Sequence, residues 1–282
     1  MSKTFFEARK WASFALKANP EFNTLADVDF IMTHLLNLSK VQLLINNQAE
    51  MPAADLQLFE NVVNEIVAGT PPQYAIGKAD FYGMSLEVTP DVLIPRVETE
   101  ELVDWVLENT ESRSNEPLKV LDIGTGSGAI ALAIKQNRPE FNVSASDISV
   151  SALHVAQRNA NKLGLNVQFI ESDVFSNITE AYDVIVSNPP YISESERGVM
   201  GESVITYEPH LALFAEDDGL AIYKRIAAGL STRLLQNGQA FFEIGYQQQQ
   251  SVIDLFVAAN PELSVTARHD VAGNQRMIKV AK

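Results

Sequence analysis

Short apolar runs alternate with amphipathic segments from residue 119 onward, and this alternation restricts the fold more than any other feature of the chain. Runs at 119–123, 142–147, 167–171, 183–187, 239–244, 263–268 and 276–281 have the composition of strands. Segments at 129–136, 149–163, 221–235 and 247–259 have helical periodicity. This order predicts an α/β fold, namely a doubly wound, mostly parallel seven-stranded sheet with helices on both faces. The last two runs are expected to form an antiparallel hairpin at one edge.

The preceding residues follow other patterns. Residues 3–69 carry apolar side chains at three- and four-residue spacings, which predicts a small helical bundle. Residues 81–95 predict a β-hairpin, and a helix is expected from 95 to 109, with acidic residues in its first turn that either cap it or face a ligand. We therefore expect a helical bundle at 1–70, a linker with a hairpin at 71–97 and an α/β domain at 98–282.

Charge and composition exclude several classes of function. The 282 residues carry a formal net charge of −15, which disfavours nucleic-acid binding through bulk electrostatics, although a local basic groove stays open. The sequence has no cysteine, so disulfides, thiolate metal sites and a cysteine nucleophile are excluded. No apolar run approaches the roughly eighteen residues of a membrane span, and the first residues lack the order of a signal peptide. We expect a cytoplasmic protein without a membrane partner.

A glycine-rich turn follows the first strand of the alternating region. Its residues are Gly124, Thr125, Gly126, Ser127 and Gly128. Glycine lets backbone approach a ligand closely, and the free N–H groups of the following helix favour an electronegative partner, so we expect a cofactor here. The spacing is Gly-x-Gly-x-Gly rather than that of dinucleotide-binding turns, and Asp122 precedes it. An acid would repel a pyrophosphate but suits a cationic cofactor such as S-adenosylmethionine.

Two further acids stand at the ends of the next strands. Asp147 ends the second strand, where a carboxylate can accept hydrogen bonds from ribose hydroxyls. Asp173 follows the third strand and could accept from an adenine amino group, with Phe175 lying on the ring. Each aspartate alone could instead cap the following segment. Their positions at successive strand ends fit the rule that open α/β sheets bind ligands at the carboxyl edge.

The fourth strand ends abruptly at Asn188-Pro189-Pro190-Tyr191. Two prolines remove two N–H donors but leave every carbonyl, so the strand tip offers the Asn188 side-chain oxygen and the Pro189 carbonyl as fixed acceptors. These two acceptors suit a planar NH2 group and could aim its nitrogen at an electrophile. Tyr191 could pack on the flat substrate group. A strand followed by a proline-rich turn without chemistry is the alternative interpretation.

With these motifs the chain resembles class I S-adenosylmethionine-dependent methyltransferases, and its strand tip is similar to the signature of enzymes that methylate planar NH2 groups in DNA or in protein glutamine. Other segments are similar to those of the peptide chain release factor glutamine methyltransferase family, almost from end to end. These segments are Pro72-Gln73-Tyr74-Ala75-Ile76-Gly77, Phe81-Tyr82-Gly83, Val92-Leu93-Ile94-Pro95-Arg96, Glu98-Thr99-Glu100, Glu208-Pro209, Ala212-Leu213-Phe214, Gly219-Leu220 and Glu243-Ile244-Gly245. Two departures are Val97, where the family usually has a proline, and Ala215, where glycine is common.

The resemblance implies N5-methylation of the glutamine in the Gly-Gly-Gln loop of class 1 peptide chain release factors, with S-adenosylmethionine as methyl donor. It implies that Gly124 to Gly128, Asp147, Phe175 and Asn188 hold the cofactor, that Asn188 to Tyr191 hold the glutamine and perform catalysis, and that the N-terminal bundle binds the release factor. In-line transfer of this kind needs no metal and no obligatory general base.

Three other functions stay open from the residues alone. A nucleic-acid amino methyltransferase, of the adenine-N6 type, shares the strand tip but is expected to carry a basic groove, and the acidic chain makes stable nucleic-acid binding unexpected. A nicotinamide oxidoreductase would need NAD binding, which the glycine spacing disfavours. A non-catalytic module would bind the cofactor without transferring a methyl group.

Overall fold

The computed structural model describes residues 2–18 and 25–282. Its α-helices are α1 (Phe5–Ala15), α2 (Leu25–Leu36), α3 (Lys40–Ile45), α4 (Ala53–Val67), α5 (Pro72–Ile76), α6 (Val97–Asn109), α7 (Ala129–Asn137), α8 (Val150–Leu163), α9 (Glu202–Tyr207), α10 (His210–Leu213), α11 (Ala221–Arg233) and α12 (Gln249–Ala259). The strands are β1 (Lys78–Phe81), β2 (Met84–Glu87), β3 (Lys119–Ile123), β4 (Asn142–Asp147), β5 (Gln168–Glu171), β6 (Tyr182–Ser187), β7 (Leu234–Glu243), β8 (Ser264–His269) and β9 (Gln275–Ala281). Short 3-10 helices lie at Leu16–Ala18, Glu111–Arg113 and Glu194–Val199.

The chain divides into two compact units. One unit contains the residues up to Lys78 together with Gly201–Tyr207, and the other contains Ala79–Met200 and Glu208–Lys282. The first unit is helical, as the spacing of residues 3–69 predicts; residues 19–24 of that prediction lie outside the described residues. Its core consists of apolar side chains from α1, α2, α3 and α4. Thr4 and Ser39 close capping boxes at the starts of α1 and α3, which fixes where these two helices begin.

The second unit is built on a seven-stranded sheet with the strand order β5-β4-β3-β6-β7-β9-β8. Neighbouring strands from β5 to β7 are parallel, and β9 is antiparallel to both β7 and β8. The expected α/β fold, its mostly parallel sheet and the antiparallel hairpin at one edge are thereby confirmed. The order of the strands reverses at β3 and β6, which places their carboxyl ends at a crevice suited to a ligand.

The two faces of the sheet are covered by separate hydrophobic clusters. Val120 of β3 and Val184 and Val186 of β6 pack in the cluster that includes α6 and α7. The alternating residues Leu121 and Ile185 pack in the cluster that includes α11 and α12. Because both faces of each central strand are buried, the sequence of each strand is a continuous apolar run. Such runs can be recognised in the sequence as strands.

Several boundaries differ from the sequence-based expectation. The hairpin consists of β1 and β2 and ends at Glu87, so the expectation that it extends over Val92 to Ile94 is wrong. Val92 and Ile94 are nevertheless buried, and this explains their strand-like composition. The helix expected to reach residue 235 ends at Arg233, and β7 begins at Leu234 rather than at 239. In the described part of the chain, every helix is too short or too polar to cross a lipid bilayer.

Candidate active site

A cavity of about 260 Å³ opens at the carboxyl edge of the sheet, within the second unit. The ends of β3, β4 and β6 and the residues after β5 contribute to its wall. Residues from the predicted site that line it are Gly124, Thr125, Gly126, Ser127, Asp147, Asp173, Asn188, Pro189 and Pro190. The structure thus brings together most of the residues that the sequence analysis selected, and the functional roles assigned to them stay predictions.

The glycine turn is held by hydrogen bonds that its backbone N–H groups donate to β4. The Gly124 and Thr125 N–H groups both donate to the Ser146 carbonyl, at 2.8 and 2.9 Å. Gly124 and Gly126 have φ angles of 72° and 55°, which side chains rarely adopt. An added Cβ at either glycine would meet open space, so the turn presents bare backbone to the cavity. Gly128, with φ 86°, precedes α7 and packs against Leu132 and Ala156.

Asp147 connects the end of β4 to this turn. Its Oδ2 accepts from the Gly126 N–H at 2.9 Å, and its Oδ1 accepts from the Ser149 N–H at 2.9 Å. Burial raises the pKa of this carboxyl, although the backbone hydrogen bonds act in the opposite direction. The side chain of the next residue, Ile148, is 48% exposed and also lines the cavity. An acceptor beside an exposed apolar side chain suits a ribose with its attached flat base.

Asp122 lies beneath the turn rather than in the cavity wall. Its Oδ2 accepts from the Thr125 hydroxyl at 2.6 Å and from the Ala131 N–H at 3.2 Å. Its buried Oδ1 has no hydrogen-bond partner among the residues that the structure describes. Burial raises the pKa of Asp122 to about 7. The contacts therefore show a carboxyl that supports the turn, and its attraction for a cationic cofactor stays a prediction.

The residues after β5 are arranged differently from the expected adenine pocket. The Asp173 carboxylate lines the cavity but forms an ion pair with Arg225 at 2.7 Å. The Phe175 ring lies outside the wall and packs against Gly229 of α11, where an added Cβ would approach it to 2.6 Å. Val174, with a φ of 52°, lines the cavity between them. The roles of Asp173 and Phe175 towards adenine stay predictions, and Val174 is a wall residue that the sequence analysis did not select.

The strand tip places two acceptors at the cavity. Asn188, Pro189 and Pro190 line it, whereas Tyr191 points into the core, where its hydroxyl lies 3.4 Å from Glu243 Oε1. The Asn188 Nδ2 group donates to Thr99 Oγ1 at 3.1 Å. Neither Asn188 Oδ1 nor the Pro189 carbonyl accepts a hydrogen bond from any residue within the described ranges. Both oxygens are therefore available to a ligand with two N–H groups.

Sequence reasoning missed the roles of Thr99, Arg96 and Glu243. Thr99 and Arg96 line the cavity, and Glu243 lies behind Thr99 with 2% of its surface exposed. Arg96 forms an ion pair at 2.5 Å with Glu208, which is also buried. The segments that carry the family resemblance contain these three residues and Glu208, but spacing alone gave no chemical reason to select them.

The acids at the start of α6 lie away from the cavity. Glu100 accepts from the Tyr82 N–H at 2.6 Å, and Glu101 accepts from the Val271 N–H. These contacts fix neighbouring loops on α6. The contacts of Glu100 and Glu101 therefore match neither of the two expectations, capping of α6 or contact with a ligand.

The chemical groups that line the cavity are suited to S-adenosylmethionine. The bare backbone of the glycine turn allows close approach, Asp147 offers an acceptor for hydroxyl groups, and Ile148 offers an apolar surface for a base. Asp147 bonds the turn and Asp122 lies beneath it, and negative charge on either carboxyl in its ionised form would suit a cofactor with an amino group and a sulfonium.

Comparisons with known proteins agree with this assignment. Residues 7–77 match the PrmC N-terminal domain family and residues 105–207 match the Methyltransferase small domain family. A release factor glutamine methyltransferase of Streptococcus pneumoniae is 48% identical over 255 residues, which cover 90% of each chain. That of Enterococcus faecalis is 39% identical, with 98% of this chain and 99% of the relative covered.

A solved structure shows the same fold at lower identity. A 16S rRNA methyltransferase of T. thermophilus, in complex with AdoMet and guanosine, is 19% identical, with a TM-score of 0.53 over 73% of this chain and 49% of that one. The chain is thus an S-adenosylmethionine-dependent methyltransferase, and it belongs to the release factor glutamine methyltransferase family.

Proposed function

We propose that this protein transfers the methyl group of S-adenosylmethionine to the side-chain amide nitrogen of the glutamine in the Gly-Gly-Gln loop of class 1 peptide chain release factors, and that it thereby modulates translation termination. The observation that carries the proposal is the pair of unbonded acceptors at the strand tip, Asn188 Oδ1 and the Pro189 carbonyl. The end-to-end similarity to release factor glutamine methyltransferases supports the choice of substrate. A substrate that acts on the ribosome implies a cytoplasmic enzyme.

The acceptors address the main chemical difficulty of the reaction. An amide nitrogen is a poor nucleophile because its lone pair is delocalised into the carbonyl. Two oxygens that hold both N–H bonds fix the orientation of the NH2 group and favour the developing positive charge on nitrogen. Bound S-adenosylmethionine would supply an electrophilic methyl group on a sulfonium. The methyl carbon–sulfur bond would break as the nitrogen–carbon bond forms, S-adenosylhomocysteine would leave, and the methylated amide would release its proton to water.

The wall of the site supports this geometry. Prolines at 189 and 190 stiffen the tip, and the Ser187 hydroxyl donates to the Ile123 carbonyl at 2.7 Å, which ties the end of β6 to β3. Pro209, Leu211 and Phe214 give the cavity an apolar side that excludes water from the amide. Pro190 is the surface that would pack on the glutamine side chain, and Tyr191 supports the tip from within the core.

We further propose that the bundle at 1–70 binds the release factor, with the linker at 71–97 and the catalytic domain at 98–282. Three apolar side chains of α3, those of Val41, Leu44 and Ile45, are 64–76% exposed. Exposed apolar side chains on one short helix favour a protein partner over a nucleic acid. The net charge of −15 agrees with this preference.

The test compares transfer of labelled methyl groups to three substrates: an intact class 1 release factor, the same factor with its loop glutamine replaced, and duplex DNA. We expect label only on the intact factor and, by mass spectrometry, one methyl group on the loop glutamine. Asn188→Ala is expected to keep the fold, measured by circular dichroism, but to lose most of the transfer. Loss of cofactor binding in the same variant, measured by calorimetry, would mean that Asn188 mainly serves the cofactor. Label on DNA, or on the factor without its glutamine, would overturn the proposal.

A further inference from the structure

A line of hydrogen bonds leads from the strand tip to a buried carboxyl group. Asn188 Nδ2 donates to Thr99 Oγ1 at 3.1 Å, and the Thr99 hydroxyl donates to Glu243 Oε2 at 2.7 Å. The three residues come from three elements, since Asn188 follows β6, Thr99 lies in α6 and Glu243 ends β7. Thr99 and Glu243 are 5% and 2% exposed, so water does not compete for these bonds.

The chemistry of the three groups determines which one donates in each hydrogen bond. An ionised carboxylate only accepts hydrogen bonds, so the Thr99 hydroxyl must donate its one proton to Glu243. Thr99 Oγ1 then has only lone pairs left for Asn188, and it can bond the NH2 end of that amide but not the oxygen end. The reversed amide would place two acceptors against each other and would turn the NH2 group towards the cavity.

We propose that Thr99 and Glu243 are positioning residues for methyl transfer, because they hold the Asn188 amide with its oxygen directed at the substrate nitrogen. This inference rests on the proposed function and deepens it, since it explains how the enzyme distinguishes the two nearly identical ends of its own asparagine side chain. Glu243 lies outside the cavity wall and acts only through Thr99.

The surroundings of Glu243 fix its carboxyl in place. The Tyr223 hydroxyl of α11 donates to the Glu243 carbonyl at 2.6 Å, and the Tyr191 hydroxyl lies 3.4 Å from Oε1. Arg276 of β9 attracts the ionised form, whereas Glu98 of α6 disfavours it. Burial outweighs the attraction and raises the pKa of Glu243 to about 7. A neutral Glu243 can donate to Thr99, which frees the Thr99 proton for Asn188 and removes the preference for one amide orientation.

The first test uses matched substitutions of threonine. Thr99→Val keeps the shape but removes the hydroxyl, and we expect kcat for release factor methylation to fall by about 10- to 100-fold, with cofactor affinity unchanged by calorimetry. Thr99→Ser retains the hydroxyl and is expected to restore most of kcat. Thr110→Val is the control, because Thr110 is similarly buried at the end of the same helix, but its hydroxyl donates to the Val106 and Leu107 carbonyls of that helix.

The second test does not depend on turnover. The side-chain NH2 signal of Asn188, identified by its loss in Asn188→Ser, is followed by NMR in the free enzyme as the pH is varied. We expect its shift to change with a midpoint near the pKa of Glu243, about 7, and to stay constant in Thr99→Val and in Glu243→Gln. Wild-type kcat is expected to rise with pH over the same range.

The outcomes separate this inference from the proposed function. A constant Asn188 signal in the wild-type enzyme, or equal losses of kcat in Thr99→Ser and Thr99→Val, would overturn the positioning role even if the release factor is methylated. Absence of release factor methylation by the wild-type enzyme would overturn the proposed function, while the NMR titration would still decide whether Thr99 and Glu243 orient Asn188.

Discussion

The Asp147 carboxylate accepts a hydrogen bond from the backbone N–H of Gly126 at 2.9 Å, which joins the end of β4 to the turn that follows β3. Replacement of Asp147 by alanine removes this support together with the acceptor facing the cavity. We expect Asp147→Ala to weaken S-adenosylmethionine binding by about 1.5–3 kcal/mol, the usual contribution of a hydrogen bond to a charged group, measured by titration calorimetry.

Glu171 provides a control for this substitution. It pairs with Asp147 in the neighbouring strand, but it is exposed and lies outside the cavity wall. Glu171→Ala is expected to bind the cofactor as the wild type does. Equal titration heats for Asp147→Ala and the wild-type enzyme would contradict the ribose role of Asp147.

Gly219 lies directly against the strand tip. An added Cβ would come within 2.1 Å of the Tyr191 carbonyl oxygen, and the φ angle of 82° already disfavours a side chain. We expect Gly219→Ala to lower the free energy of unfolding by about 2–4 kcal/mol through overpacking and backbone strain, measured by urea unfolding.

The control for Gly219→Ala is Gly273→Ala, because Gly273 has a φ of 86° but open space around an added Cβ. It is expected to show only the smaller cost of backbone strain, about 1–2 kcal/mol, and to retain methyl transfer. Equal destabilisation by the two substitutions would mean that contact with Tyr191 contributes nothing.

Asp122 makes stability depend on pH. Its pKa is raised from 3.8 to about 7, so the folded state binds the proton more tightly than the unfolded state. The resulting stabilisation is complete below pH 3.8 and is lost as pH rises to about 7. In Asp122→Asn we expect the free energy of unfolding to fall less steeply over this range, by roughly 1 kcal/mol per pH unit.

Urea unfolding of the cofactor-free protein at pH 5, 6, 7 and 8 measures this slope. Glu243 has the same direction of shift, from 4.5 to about 7, so Asp122→Asn retains part of the pH dependence. Parallel curves for wild type and Asp122→Asn would show that Asp122 does not titrate in this range.

Val97 occupies the first position of α6 and is 70% exposed. Proline suits this helix position, and Arg96 before it has φ −103° and ψ 148°, the extended backbone that a following proline requires. We expect Val97→Pro to increase the free energy of unfolding by about 0.4–1 kcal/mol, measured as a higher melting temperature. Val103→Pro, in the interior of the same helix, is expected to lose roughly 3 kcal/mol or more. A lower melting temperature for Val97→Pro would contradict the expectation.

The sheet could be predicted because its central strands are buried on both faces and so form unbroken apolar runs. The start of β7 could not be predicted, because the residues from Leu235 to Gly238 are mostly polar and exposed. They belong to the strand because Leu234, which precedes them, pairs with Tyr182 of β6. Likewise, Val92 and Ile94 have strand-like composition because they are buried, although neither belongs to a strand.

Site residues could be predicted where their position at the end of a strand determines their location in the fold. Acids and amides at successive strand ends meet at one edge of a parallel sheet, and Asp147 and Asn188 line the cavity accordingly. Local sequence does not determine which way a side chain turns, so it did not show that Asp122 lies beneath the turn or that Phe175 packs on Gly229. The Thr99 to Glu243 bond spans 144 positions and depends on tertiary packing alone.

The position of β9 between β7 and β8 determines the order in which these strands can join the sheet during synthesis. β8 precedes β9 in the chain, yet within the described sheet it pairs only with β9. A nascent chain that has emerged only to residue 269 therefore lacks the strand with which β8 pairs, although β8 can already contact α12. This edge can assemble only after Gln275–Ala281 leave the ribosome, although the parallel strands that form the catalytic edge are already available by then.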